Sequence, residues 1–191
     1  MAKIILDLCS GTGSWSAPYQ KDKRYDVRLI TLPDYDVLKY NPPKNVYGVL
    51  AAPPCDHFSI SGAQYWPAKD ADGRTAEALE IVNACMRIIA ESIASSDRFK
   101  FWCLENPVGR LRYWMGKPVM IFHPCDYGDP YTKRTCLWGH FNPPIKSPVE
   151  PIKSCKQGSW LMRLGGKSEK TKRLRSVTPP GFAKAFYEAN R

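Results

Sequence analysis

Long apolar runs are missing from this chain of 191 residues. A membrane-spanning helix needs about 20 consecutive, mostly apolar residues, and no stretch of the sequence approaches that length. The first residues offer only Ile4, Ile5 and Leu6 before Asp7, which is not the pattern of a signal peptide. These absences predict a soluble, cytoplasmic protein without a membrane partner.

Regularly spaced cysteines and a surplus of acidic residues are also missing. The seven cysteines are irregularly spaced and include no Cys-x-x-Cys pair, so we predict neither a disulfide framework nor a bound metal ion. The chain has 28 Lys and Arg against 18 Asp and Glu, a formal net charge of +10. A basic surplus of this kind favours a polyanionic partner such as nucleic acid.

Short apolar runs, each closed by turn residues, follow one another along the chain. Such runs are typical of parallel strands that are covered on both faces. A helical stripe of apolar residues runs from Thr75 to Ser95, and Pro179 opens a final helix to Asn190. Strands interleaved with helices predict one α/β domain with a mostly parallel open sheet and flanking helices. The predicted strands are 3–8, 27–32, 47–52, 99–104, 119–122 and 135–138.

Polar segments follow three of the predicted strands, where open α/β sheets bind their ligands. The first contains Gly11 and Gly13, and glycine allows a ligand to approach the backbone closely. The third glycine of the dinucleotide fingerprint and a Gly-Lys-Ser/Thr sequence are both missing, which counts against NAD and nucleoside triphosphates. The three segments are 7–13, 53–59 and 105–106.

Two residues in these segments are candidates for catalysis. Cys55 follows two prolines that hold the backbone rigid, and a thiolate in such a loop is a nucleophile. His57 leaves a cysteine hydrolase open as an alternative, although no catalytic triad order supports it. Glu105 ends an apolar strand, where burial can keep a carboxyl group protonated so that it donates a hydrogen bond.

Five segments, in chain order, resemble the motifs of the cytosine carbon-5 DNA methyltransferases. The resemblance spans nearly the whole chain and implies a Rossmann-like methyltransferase fold with S-adenosyl-L-methionine as cofactor. The matching segments are 7–13 for the cofactor motif, 53–59 for the Pro-Cys nucleophile loop, 105–107 for Glu-Asn-Val, 127–135 for Tyr-Gly-x-Pro-Gln-x-Arg-x-Arg, and 176–180 with 183–185 for the closing motif.

The resemblance implies a concrete reaction, the transfer of a methyl group to carbon 5 of cytosine in DNA. The Cys55 thiolate adds to carbon 6 of a cytosine that has been flipped out of the duplex. Glu105 hydrogen-bonds N3 of the ring and stabilises the charge that develops there. Lys133 stands near the first Arg of the Gln-x-Arg-x-Arg segment, where we expect it to contact the base or a phosphate.

The resemblance also implies which residues surround the cofactor. Trp15 takes the place of a family glycine and is expected to pack on the adenine. Asp34 is expected to bind the ribose, while Asp36 and Val37 meet the adenine amino group. The full predicted set is Asp7, Cys9, Ser10, Gly11, Thr12, Gly13, Trp15, Asp34, Asp36, Val37, Pro53, Ser176 and Thr178.

The catalytic domain is expected to comprise residues 1–141 and 176–191, with a short basic insert at 142–175. The insert is rich in Pro, Gly and Lys, lacks periodicity and is too short for an independent core. Its two interpretations are a solvated loop and a reduced form of the family's target-recognition domain. The predicted nucleic-acid contacts are Ser59, Arg110, Arg134, Lys153, Lys156, Arg163, Lys172 and Arg173.

Several alternatives stay open from the sequence. One branch of the family methylates tRNA, and the motifs do not separate RNA from DNA substrates; we expect DNA because no RNA-binding module is recognisable. A non-catalytic relative, or an enzyme that needs a second chain for target recognition, would carry the same motifs. Compact enzymes of this kind resemble those of phages, so we expect a monomer in the cytoplasm of a bacterium or of a phage-infected host.

Overall fold

The computed structural model describes residues 2–153, 159–164 and 168–191, and at its centre lies a mixed sheet of six strands. The strand order is β2-β1-β3-β4-β6-β5. The first four strands run parallel, while β6 runs antiparallel to both of its neighbours. The strands are β1 Lys3–Leu8, β2 Tyr25–Ile30, β3 Val46–Ala51, β4 Phe101–Pro107, β5 Met120–Phe122 and β6 Thr135–His140.

In the described ranges, six helices and three 3-10 turns connect and cover the strands. The 3-10 turns span Ile60–Tyr65, Pro124–Tyr127 and Trp160–Arg163. The helices are α1 Ala17–Gln20, α2 Trp66–Ala71, α3 Arg74–Ala94, α4 Arg112–Met115, α5 Glu169–Ser176 and α6 Pro180–Ala189. No helix in the described ranges is both long and apolar enough to cross a membrane.

The two faces of the sheet bury two separate hydrophobic clusters, because neighbouring residues of a strand point to opposite faces. One face packs against α3, whose buried residues recur every three or four positions, as in Val82, Cys85 and Ile89. The other face packs against α6 through Phe182 and Phe186. The sheet therefore lies between two helical layers, as the sequence predicts for an α/β protein.

The predicted strands and both long helices are confirmed, with end points that differ by up to three residues. The main difference is in β4, which continues to Pro107, so that Glu105 and Asn106 lie within the strand rather than beyond it. The insert at 142–175 is also not wholly irregular, since it contains α5 and one 3-10 turn. The lack of periodicity in its sequence therefore does not exclude a helix near its carboxyl-terminal end.

Candidate active site

Four loops meet at one edge of the sheet. The parallel strands β1 to β4 end at this edge, where open sheets place their ligand sites. Because β6 is antiparallel to β4, the residues that precede Thr135 arrive at the same edge. The segments gathered there are 9–13, 31–36, 53–59 and 131–134, beside the end of β4.

The loop that carries Cys55 is held by hydrogen bonds from its own backbone and from β4. The N–H groups of Phe58 and Ser59 both donate to the Cys55 carbonyl, at 3.0 and 2.9 Å. The side-chain amide of Asn106, fully buried in β4, donates to the Pro53 carbonyl at 3.1 Å. Asn106 therefore positions the loop, a role that the sequence analysis did not assign although the residue lies in one of the matching motifs.

Arg110 is a second support for this loop, and the prediction that it contacts nucleic acid is wrong. The residue is only 6% exposed, and its guanidinium carbon lies 4.8 Å from the Trp66 ring centroid. Its Nε–H donates to the His57 carbonyl at 2.9 Å, while its other nitrogens bond Asp70 and Thr75. A side chain with these partners is not available to a phosphate.

Two further residues hold the loop without having been predicted. The ammonium group of Lys69, buried in α2, donates to the Asp56 carbonyl and lies 3.6 Å from its carboxylate. Gly109 forms a β-bridge with Ser59, and a Cβ on Gly109 would lie 1.9 Å from the Phe58 carbonyl oxygen. No local sequence signal marks Lys69, whereas a glycine two residues after a strand is a recognisable sign of close backbone approach.

Glu105 and Lys133 lie close enough to Cys55 to affect its ionisation. Burial and the Glu105 carboxylate raise the pKa of the Cys55 thiol, while the Lys133 ammonium opposes that rise. Burial also raises the pKa of Glu105, again opposed by Lys133. The fold thus brings together three predicted catalytic residues that are far apart in the sequence.

The loop after β1 has the features of a ligand cradle. Gly11 adopts a φ of +53°, and the space where a Cβ would lie is open, so a ligand can approach the backbone there. The Ser10 hydroxyl is buried and has no hydrogen-bond partner among the described residues. Gly13 has a different role, because a Cβ there would press on Leu29 and Gln20. Cys9 and Thr12 flank this turn, with Thr12 exposed at the edge.

Four of the predicted cofactor residues have buried side chains, namely Asp7, Trp15, Val37 and Pro53. The prediction that Trp15 packs on the adenine is wrong, because the residue is 2% exposed and its ring contacts Phe182 and Phe186. Asp7 lies beneath the loop, where one carboxylate oxygen accepts a hydrogen bond from Ser16. Val37 belongs to the hydrophobic core, so only its backbone can face a ligand.

The segment before α6 returns to the loop after β1. The Thr178 N–H donates to the Ser14 hydroxyl at 2.8 Å, over a sequence separation of 164 residues. Ser176 is exposed and bonds the Arg173 carbonyl within α5. The Lys133 ammonium donates to the Arg175 carbonyl at 3.1 Å. These contacts place the ends of the matching motifs around a single edge of the sheet.

The remaining predicted residues lie at or near this edge, or outside the described part of the chain. Asp34 is exposed, and the Asp36 carboxylate accepts a hydrogen bond from the Leu38 N–H. Ser59 and Arg134 lie in the loops gathered at the edge, and Lys153 and Arg173 are exposed. Lys156 lies outside the described residues, as do the side chains of Arg163 and Lys172.

His57 does not pair with Cys55. Its Nε2 lies 3.1 Å from an Asp56 carboxylate oxygen, and in the described ranges no hydrogen bond joins it to the thiol. Burial lowers the pKa of His57. The described residues also contain no group of three or more His, Cys, Asp or Glu side chains that could hold a metal ion.

Comparison with known proteins shows a distant similarity to a viral protein. No protein-family model matches the chain. The chain is similar to a protein of Frog virus 3 (isolate Goorha) that is named "Probable DNA (cytosine-5)-methyltransferase". The two are 28% identical over 212 residues, which cover 93% of this chain and 95% of the viral protein. This distant similarity extends nearly end to end and agrees with the enzyme class that the motifs indicate.

Proposed function

We propose that this protein is an S-adenosyl-L-methionine-dependent DNA (cytosine-5)-methyltransferase with a Rossmann-like catalytic domain. The observation that carries the proposal is the meeting of Cys55, Glu105 and Lys133 at the edge of the sheet, within electrostatic reach of one another. The glycine loop after β1 lies at the same edge. The similarity to the viral protein supports the same enzyme class.

The proposed reaction uses a thiolate and a carboxylic acid on the same ring. The Cys55 thiolate adds to carbon 6 of the flipped cytosine, and the electrons of the C5–C6 double bond move into the ring. Glu105 donates a hydrogen bond to N3, where negative charge develops. Carbon 5 takes the methyl group, whose bond to the cofactor sulfur breaks with its electron pair left on sulfur. A base supplied by solvent then accepts the carbon 5 proton, and the electrons of the C5–H bond restore the double bond and expel the Cys55 thiolate.

The raised pKa of Glu105 fits its role, whereas the raised pKa of Cys55 disfavours the thiolate unless one of its causes is removed. A protonated Glu105 is the form that can donate to N3, and burial favours it. A protonated Glu105 also lacks the negative charge that raises the pKa of Cys55. With Glu105 protonated, the negative charge passes from the thiolate into the ring, where the hydrogen bond from Glu105 stabilises it.

The cofactor is assigned to the cradle around Gly11. S-adenosyl-L-methionine, when bound, supplies an electrophilic methyl group. The unpartnered Ser10 hydroxyl and the open space over Gly11 fit a polar ligand at this edge. Asp34 and Asp36, at the end of β2, are the acidic residues available to its hydroxyl and amino groups.

Substrate recognition is assigned to the exposed cations near the edge. The net charge of +10 favours DNA, because each phosphate that is neutralised releases condensed counterions. Lys153 and Arg173 of the 142–175 insert are exposed, and Arg134 lies beside Lys133 at the start of β6. We expect the insert to act as a small target-recognition segment.

The test is transfer of a tritiated methyl group from S-adenosyl-L-methionine to unmodified duplex DNA. We expect label on DNA cytosine with the unaltered chain, and none with Cys55→Ser, which should still bind the cofactor. A parallel reaction with tRNA distinguishes the RNA alternative. Full transfer by Cys55→Ser would rule out Cys55 as the nucleophile, and label on neither substrate despite cofactor binding would contradict the proposed activity of the single chain.

A further inference from the structure

Helix α4 (Arg112–Met115) exposes two aromatic side chains to solvent. Tyr113 is 72% exposed and Trp114 is 48% exposed. The guanidinium carbon of Arg112 lies 5.3 Å from the centre of the Tyr113 ring. Exposed aromatic surface next to cations is typical of sites that meet a partner.

This helix is in contact with the loop that carries the proposed nucleophile. The Trp114 ring centre lies 6.0 Å from that of Phe58, three residues after Cys55. The Arg110 guanidinium, which supports the same loop, lies 5.9 Å from the Trp114 ring. The Trp114 ring therefore packs on the Cys55 loop itself, and the exposed Tyr113 is its neighbour in α4.

Two exposed arginines, Arg112 and Arg134, add positive charge beside the exposed aromatic side chains of α4. The Val108 N–H, between the end of β4 and α4, donates to the Arg134 carbonyl at 3.0 Å. The Arg134 and Arg112 guanidiniums both oppose the rise that burial causes in the pKa of the Cys136 thiol. Both arginines are exposed, and neither forms an ion pair with an acidic side chain in the part of the chain that the structure describes. Their charges are therefore available to an anionic partner.

We infer that α4 is a DNA-binding platform, on which a base next to the flipped cytosine stacks on Tyr113 while Arg112 and Arg134 contact phosphates. The inference rests on the proposed function, because removing one cytosine from the duplex uncovers the faces of its neighbours beside Cys55. A nucleobase offers a flat face to an exposed ring whatever its sequence. The backbone offers the repeated negative charge that complements two unpaired arginines.

The experiment measures binding of the full chain to a fluorescent duplex and to a fluorescent single strand over a series of salt concentrations. Tyr113→Ala should weaken binding by roughly ten-fold, because base–aromatic stacking is lost, without changing the salt dependence. Arg112→Ala should instead reduce the slope of log affinity against log salt by about one phosphate contact. Tyr113→Phe, which keeps the ring, and Arg98→Ala, an exposed cation before β4 at the opposite edge, serve as matched controls.

The outcomes separate this inference from the proposed function. Unchanged DNA affinity in Tyr113→Ala, with a melting temperature equal to that of the unaltered protein, would overturn the platform while leaving methyl transfer intact. A fluorescent RNA strand of the same sequence is measured in parallel, and tighter binding to it than to either DNA probe would also overturn the inference. Binding that depends on Tyr113 without any methyl transfer would support the platform and contradict the proposed activity.

Discussion

The ionisation of Cys55 depends on two neighbouring side chains of opposite charge. Burial raises the pKa of the thiol most, the Glu105 carboxylate raises it further, and the Lys133 ammonium opposes the rise. Glu105→Gln should therefore lower the pH at which Cys55 becomes reactive, and Lys133→Gln should raise it. The measurement is the rate of alkylation of Cys55 by iodoacetamide as a function of pH, followed by mass spectrometry.

Cys125 provides the control within the same molecule. The charges that affect its thiol are those of Asp126, Glu150 and Lys146, so neither substitution should alter its alkylation. If the Cys55 profile were identical in Glu105→Gln and in the unaltered protein, the two groups would not interact and the proposed pairing would be wrong.

Asp7 makes the stability of the fold depend on pH. Burial raises its pKa from 3.8 to about 7, although the Ser16 hydroxyl bonds the carboxylate. Because the folded protein holds this proton more tightly than the unfolded chain, the stabilisation is complete below pH 4 and is lost as pH rises through about 7. The contribution is up to a few kcal/mol.

The test compares urea unfolding of the unaltered protein and of Asp7→Asn at pH 5 and at pH 7.5. Titratable groups that both proteins share contribute equally to the two pH dependences, so their contribution cancels when one fall in unfolding free energy is subtracted from the other. We expect the fall in unfolding free energy over this range to be smaller in Asp7→Asn, since the amide does not titrate. An equal fall in both proteins would show that Asp7 does not carry the effect.

Residue types in the sequence indicated candidate roles for single side chains but did not indicate whether those side chains are exposed. Cys55 and Glu105 could be identified because a proline-flanked thiol and an acid at the end of an apolar strand are unusual. Arg110 could not be placed, because its burial depends on Trp66, Asp70 and Thr75, which pack against it only in the folded chain. A basic residue near a nucleophile has the same sequence signature whether it contacts DNA or supports a loop.

Among the elements, those with an apolar pattern were predicted and those without one were not. The stripe of α3 and the apolar runs of the strands identified these elements nearly to their ends. Helix α5 has no such stripe, and its one large apolar residue, Leu174, is 39% exposed. Its start is held instead by the Ser168 hydroxyl, which accepts a hydrogen bond from the Thr171 N–H. Capping by one serine is too common in loops to indicate a helix.

The β-bridge between Ser59 and Gly109 joins the Cys55 loop to the end of β4. Gly109→Ala would place a Cβ 1.9 Å from the Phe58 carbonyl, so the bridge must open and displace the loop. We expect methyl transfer to fall on the order of 100-fold, with cofactor binding retained. Gly62→Ala is the matched control, because its Cβ would lie 3.5 Å from the Asp56 carbonyl, an ordinary contact. Transfer that falls equally in both variants would contradict the importance of the bridge.

For the molecule as a whole, the reversal of one strand completes the candidate site. Because β6 runs antiparallel beside β4, with Pro107 opposite Thr135, the segment before β6 reaches the edge that holds Glu105. A β6 parallel to β4 would place Lys133 at the opposite edge of the sheet. Strand direction is set by the path of the whole chain, so the apolar pattern of residues 135–140 could predict the strand but not the position of Lys133.

The distribution of charge over the molecule gives a prediction for the 142–175 insert. Lys153 and Arg173 are exposed in the insert, whereas Lys44 and Arg98 are exposed before β3 and β4, at the edge opposite the candidate site. Changing either pair to Gln removes the same net charge, so long-range attraction to DNA weakens equally. If the insert contacts the backbone, only the Lys153→Gln, Arg173→Gln protein loses phosphate contacts, and its slope of log affinity against log salt falls by about two. The slope is measured by fluorescence anisotropy with duplex DNA. Equal slopes in the two double variants would identify the insert as a solvated loop and leave target recognition to the edge of the sheet.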